Sequence, residues 1–354
     1  MLLLMSFPHS LPQINICPKR CIYLIAATTS NTTIMKPRFF PFLLFPLFSI
    51  SQNGPVKLVD IHTAAYQTLR VGEKPDFIAT DGDNAWVIDD HQNRIIKLSP
   101  NNNTPLLLIH IPEACTAPIV GFNAVWVMSC SEKKLYKVDH TTGTILAKIP
   151  TGLADEKGEM SLAIGGGSVW LLSDSTGVLT RIDPVTNAVQ NKITVLPHSY
   201  CAALGHNAIW VTNYRNNSVQ KIDMATNSVT TTIRVGAKPR FLTAGDQGVW
   251  TLNQGDGTVS KINPLSNKVV ATINVHAIGA GGDITADSRN VWVVSTNPEK
   301  PVQTINALTN RIETIYQQKS TDKKALKVDG GVRISKNYVW ISGYHSKTVW
   351  VLKR

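Results

Sequence analysis

Ten polar side chains fall at two recurring points of the sequence, and they are the ones able to do chemistry together. Asp76, Glu159, His198, Arg240 and Asp283 stand where a strand is about to begin. Asp90, Asp174, Tyr214, Gln254 and Tyr344 stand where the following strand ends. Arg240 and His198 are suited to hold an anion through charge-assisted hydrogen bonds, with the acids orienting it in a shallow polar pocket. His198 is the candidate general acid or base if the chain is an enzyme. The competing reading is that these groups cap and solvate loop ends, as most exposed polar loop residues do.

Other motifs carry less. The histidines show no His-Glu-x-x-His or similar spacing, so no dedicated transition-metal site is expected, although rim carboxylates remain able to hold a cation. Gly165-Gly-Gly167 lacks the Gly-Lys-Ser/Thr of a phosphate loop and reads as a turn. No cofactor is expected.

The elements that must position these residues announce themselves through tryptophan. A small aliphatic residue precedes Trp86, Trp126, Trp170, Trp210, Trp250, Trp292 and Trp340, at spacings of 40, 44, 40, 40, 42 and 48 residues. That is the period of a four-stranded propeller blade. Eleven residues after the tryptophan comes a basic column, Lys97, Lys137, Arg181, Lys221 and Lys261, with one extra residue in the sixth repeat and Val351 in the seventh. The tryptophans read as packing between blades rather than as base-stacking platforms. The basic column reads first as repeat consensus and second as an anion-binding stripe.

Each repeat resolves into four strands. Strand A, such as Phe77–Thr80, reaches a Gly/Asn/Asp turn, strand B carries the tryptophan and strand C the basic residue. An Asp/Asn-Pro-x-Thr/Ser-Asn reversal then leads to an alternating β-branched strand D, such as Ser228–Ile233. The seventh repeat stops at Arg354 after strand C. Tyr66–Val71, ahead of the first strand A, is expected to supply the missing strand and close the ring without an open seam. The fold class is therefore all-β, a seven-bladed propeller of four-stranded antiparallel blades over residues 55–354. Strands D-to-A and B-to-C are joined on one rim, so the ten polar residues above surround the mouth of the central channel.

Ile209-Trp-Val-Thr-Asn213, followed by Val219-Gln-Lys-Ile-Asp223, resembles the YVTN β-propeller repeat family, and the likeness runs over residues 66–354. The resemblance implies an exported bacterial propeller. It also implies kinship with the seven-bladed streptogramin (virginiamycin B) lyases, whose blades carry a Glu three residues after the tryptophan and which use His, Glu and magnesium on one face. Here that position holds Asp89, Ser129, Ser173, Asn213, Asn253, Ser295 and Gly343, and none is Glu. Pro197-His198 does resemble a Pro-His that opens strand A in those enzymes.

Composition agrees with a globular chain: 43% hydrophobic and 17% charged over 354 residues. Residues 1–54 differ from the rest, having Lys19, Arg20, Lys36 and Arg38 but no acid. Met35-Lys-Pro-Arg38 followed by the apolar run Phe39–Ile50 reads as a secretory signal with Met35 as the working start and cleavage near Ser49–Gln52. The run is shorter than the roughly 20 residues of a membrane span, and an uncleaved anchor is the alternative. Losing the segment takes four charges from the +11 and leaves +7, a balance that suits acidic partners or nucleic acid, although no run of five cations concentrates it. The expected product is an exported, periplasmic or secreted monomer with no membrane span. Its first reading is a non-catalytic binding scaffold for a protein or small ligand. The alternatives are a lyase or hydrolase, with magnesium if it is lyase-like, and a nucleic-acid binder. Cys17 and Cys21 fall in the leader. Cys115, in a D-to-A loop, and Cys130, at a strand-B end, are expected to form a disulfide, while Cys201 reads as an inert core thiol.

Overall fold

The computed structural model describes residues 54–90, 92–153, 160–173, 176–317 and 327–354, all within one compact unit, Asn53–Arg354. The expected leader and its cleavage site lie outside the described residues.

Seven antiparallel sheets follow one another around a ring. Blade four shows the pattern: strand A Ser199–Gly205, B Ala208–Asn213, C Ser218–Asp223 and D Ser228–Arg234. Blade seven takes its outer strand from the other end of the chain, Ala65–Arg70 pairing antiparallel with Thr348–Lys353, which is the ring closure expected from Tyr66–Val71. Two details were not expected. Lys57–Asp60 adds a fifth strand to blade six, parallel to Arg311–Gln317. A single helical turn, Ile61–Ala64, then swings the chain across to blade seven, its first amides held by the Asp60 carboxylate.

Burial explains why strand B shows no alternation in sequence. In blades two to five every residue of strand B is buried, because both faces of an inner blade strand meet a neighbouring blade. Outer strands keep the period of two, as in Lys268–Asn274, where exposed and half-buried residues alternate. The described hydrophobic core falls into seven clusters, one at each junction between consecutive blades. Between blades three and four, for example, Trp170 and Leu172 pack on Ile209, Val211 and Ile222.

The repeat residues have separable physical jobs. In blades two to four the indole donates to the carbonyl of the glycine that ends strand A, at 3.0, 3.0 and 2.9 Å for Trp126–Gly121, Trp170–Gly165 and Trp210–Gly205. Those glycines are required by close approach: a Cβ on Gly205 would stand 2.2 Å from the Ala244 Cβ of the next blade. The basic column reaches forward. Each cation lies over the tryptophan of its own blade and donates to a C-to-D turn carbonyl of the next. Lys221, for instance, stands 5.1 Å from the Trp210 ring and 2.9 Å from the Pro264 carbonyl. Lys97, Lys137, Arg181 and Lys261 do the same toward His140, Pro184, Met224 and Ala307.

The turns that receive these cations are Asx turns. Asp183 accepts from the amides of Val185 and Thr186 at 2.7 and 3.0 Å, and Asn187 closes the turn at φ 58°. Asp139, Asp223, Asn263 and Asn306 repeat the arrangement. Gly165, Gly166 and Gly167 all have positive φ and form the A-to-B turn of blade three. None of the described helices is long and apolar enough to cross a membrane.

Candidate functional site

The rim is organised by the position three residues after each tryptophan. Asp89, Ser129, Ser173, Asn213, Asn253 and Ser295 are all buried; Asp89, Ser129 and Asn213 tie the D-to-A loop to the end of strand B, and Ser173, Asn253 and Ser295 bond within strands B and C and the loop between them. Asp89 accepts from the amides of Glu73 and Lys74 and from Arg94. Asn213 donates to the Pro197 carbonyl at 2.8 Å and accepts from the Asn216 amide. The column therefore shapes the loops instead of facing a ligand. Cys115 and Cys130 add a covalent tie at the same level of blade two, a disulfide with Cα atoms 5.9 Å apart.

Described candidates sort into three groups. Asp76, Asp90 and Tyr344 come together where blades seven and one meet. The Tyr344 hydroxyl donates to Asp90 at 2.7 Å, Lys74 stands 4.9 Å over the Tyr344 ring, and burial together with the Asp90 carboxylate pushes the phenol well above its ordinary range. His198, Tyr214 and Arg240 gather at blades four and five. The Arg240 guanidinium lies 4.6 Å from the Tyr200 ring centre and 5.9 Å from that of Tyr214, and Lys238 Nζ lies 5.8 Å from the Tyr214 ring centre. Gln254 and Asp283 turn inward and leave the rim: both are buried, and Gln254 donates to the Gly281 carbonyl. Glu159 and Asp174 lie outside the described residues.

Asp283 is the clearest departure from its expected place. Burial pushes its carboxyl up, while an ion pair with Arg333 and the amides of Val332 and Ile284 pull the other way. Register explains the pair. The residues opposite the tryptophans in strand A are Ala79, Ile119, Ala163, Ala203, Thr243, Thr285 and Arg333. Two residues earlier come Phe77, Ala117, Ser161, Cys201, Phe241, Asp283 and Gly331. Each column has one residue of a charged type, Arg333 in the first and Asp283 in the second, and the two meet across one blade junction. Tryptophan phase alone marks Arg333 as anomalous, a signal that the sequence reading passed over.

Beneath the rim, Phe77 of blade one meets Phe241 of blade five at 5.8 Å between ring centres, and Tyr200 stands edge-on to Phe241 at 5.5 Å. Phe77 and Phe241 are buried, so aromatic rings from well-separated blades meet across the channel. They line a cavity of about 350 Å³ together with strand-A residues, Asp283 and Arg333. Cys201 sits half-buried in that wall and packs against the core between blades four and five, and burial pushes its thiol up.

The rim histidine engaged by an acid is not His198, which makes no side-chain hydrogen bond to any described residue. It is His345, whose Nδ1 pairs with Asp329. Among the described residues no three His, Cys, Asp or Glu side chains converge as metal ligands, so no step is assigned to magnesium.

No family model matches the chain, and no curated protein matches it. Solved structures do resemble it. A streptogramin B lyase structure superposes with TM-score 0.66 at 16% identity, covering 80% of this chain and 94% of that one. Virginiamycin B lyase from Staphylococcus aureus gives 0.67 at 15%, covering 81% and 98%. BamB from Moraxella catarrhalis gives 0.53 at 15%, covering 78% and 82%. At these identities the likeness is one of fold, shared by lyases and by a protein not named as an enzyme.

Proposed function

We propose that the chain is an exported binding propeller that presents its D-to-A and B-to-C rim to a ligand. The observation that carries this reading is the sorting of charge around the mouth. Arg240 and Lys238 stand at blades four and five with no carboxylate partner among the described residues, whereas Asp76, Asp90 and Asp329 gather at blades seven and one. A scaffold alone does not need cations left unpaired beside tyrosines. Export is supported by the basic-then-apolar segment at Met35–Ile50 and by the Cys115–Cys130 disulfide, a bond that persists in oxidising compartments.

A lyase or hydrolase is the second reading, favoured by the Asp329–His345 pair, in which the carboxylate orients one ring nitrogen and leaves Nε2 available. Nucleic-acid binding loses support, because five of the basic residues are spent on carbonyls inside the ring. The experiment is a thermal-shift screen of a metabolite library with hits mapped by variants. Rim changes such as Tyr214→Ala should abolish the hits, and Leu265→Ser on the opposite face should not. Hits indifferent to Tyr214→Ala, or turnover that vanishes in His345→Ala, would defeat the binding-scaffold reading. Affinity for DNA that does not fall with salt would defeat the nucleic-acid alternative.

A further inference from the structure

We infer that the blade-four/blade-five corner of the rim is a binding site for a small oxyanion-bearing molecule, with Arg240 as its anchor. The inference rests on the rim reading above and gives it a ligand class.

Among the described residues no carboxylate neutralises Arg240. Its guanidinium carbon stands 4.6 Å from the Tyr200 ring centre and 5.9 Å from that of Tyr214, and its backbone carbonyl is pinned by the Thr212 hydroxyl at 3.0 Å. Its Nε is buried and has no hydrogen-bond partner among the described residues. A buried donor left unmade is costly, and native structures usually supply a partner, so such a group is a mark of a missing acceptor. Arg240 is half-buried, and no described residue hydrogen-bonds its guanidinium; such a guanidinium matches a carboxylate or phosphate through two parallel hydrogen bonds.

The surroundings repeat the sign. Lys238 stands over Tyr214, on a backbone at φ 51° whose amide is held by Asn217 at 2.8 Å. His198 takes φ 64°, and its carbonyl receives the Tyr214 amide. Asp256, in the B-to-C loop of blade five, is engaged by the amides of Ala237 and Thr258 and by the Thr258 hydroxyl. Two loops thus hold a residue in left-handed backbone at a point where one arginine and one lysine have no counter-charge among the described residues. A ligand with a single oxyanion group, a carboxylate or a phosphate, supplies the counter-charge that both cations lack among the described residues.

The probes are inorganic phosphate and benzoate, titrated into the full chain and followed by calorimetry and by the Arg240 Nε–H resonance. At least one should bind saturably and shift that resonance. Arg240→Gln should weaken binding about tenfold or more, as loss of a charge-assisted pair does. Lys238→Gln should weaken it less, and Lys268→Gln, on an outer strand, should leave it unchanged. Preference for phosphate over benzoate identifies a phosphorylated ligand, and the reverse identifies an organic acid. If Arg240→Gln does not fold, the resonance shift in the native chain and the Lys238→Gln titration decide. Binding of neither anion into the millimolar range, or binding equally tight in Lys238→Gln and Arg240→Gln, overturns the site. Library hits that survive Arg240→Gln but vanish in Tyr214→Ala would leave the rim reading standing while this site fails.

Discussion

Blades one to five and the closing blades six and seven hold their junctions by different means. From blade one to blade six each junction carries the same device, a cation lying on its own tryptophan and bound to the turn of the next blade. At blades six and seven the residues paired opposite the tryptophan in strand C are Thr304 and Val351, and the device stops. Single-use contacts replace it. Asp283 pairs with Arg333 and Asp287 with Arg354 between blades six and seven. Between blades seven and one, Asp83 holds Ser335 and Asn337, Lys347 pairs with Glu73, and Tyr344 donates to Asp90. A repeated junction is made by copying one solution. The junction that joins the two ends of the chain has no neighbour to copy and is solved with local polar groups.

The largest expected effect lies in the part both regions share. Trp210→Ala removes a fully buried indole from the blade-four junction and should cost about 3–5 kcal/mol, read as a lowered urea midpoint.

The closing device should come next. Asp283→Ala strands Arg333, and because that arginine is 29% exposed the cost should be about 2–3 kcal/mol, below that of a fully buried pair. Combining it with Arg333→Ile restores the residue types of the other blades and should recover most of the loss. A double variant as unstable as the single one would show that the pair is not the cause.

A single strap should matter less. Lys221→Met keeps contact with Trp210 but gives up hydrogen bonds to Pro264 and Asn267, an expected loss of about 1–2 kcal/mol. Lys192→Met on an exposed outer strand should stay within about 0.5 kcal/mol. Equal effects at the two positions would remove the mechanical distinction between the regions.

The smallest effect is a pH dependence. The amides of Thr142, Thr186 and Thr226 lead the interactions that hold Asp139, Asp183 and Asp223 below the usual carboxylate range. A depressed folded pKa means that their contribution is complete above the unfolded value near about 3.9 and is lost as pH falls through the lowered folded values. Blades five and six use Asn263 and Asn306 at the same point and contribute no such slope. Changing the three Asp residues to Asn together should flatten acid denaturation in that window, and an unchanged acid limb would refute the assignment.

How far the sequence could be read follows the same division. Tryptophan spacing, Asx turns and alternating outer strands are local, so they repeat visibly, and even the ring closure at Tyr66–Val71 followed from a missing strand. The parallel strand Lys57–Asp60 did not, because it belongs to no repeat and pairs with a strand some 250 residues away. At the rim, phase placed His198, Tyr214, Arg240, Asp90 and Tyr344 near the mouth but also placed Gln254 and Asp283 there, and both are buried.

By itself the sequence determined the number of blades, their strand order and which residue types recur at each turn, because those depend on period and on backbone chemistry within one repeat. Only the tertiary structure decided which charges are spent. Lys97 to Lys261 were revealed as internal straps, Asp283 as the partner of Arg333, and Arg240 as a cation beside tyrosines without a counter-charge among the described residues. Whether a side chain finds a partner depends on the neighbouring blade, which lies some forty residues away along the chain and within hydrogen-bond reach only after the ring has closed.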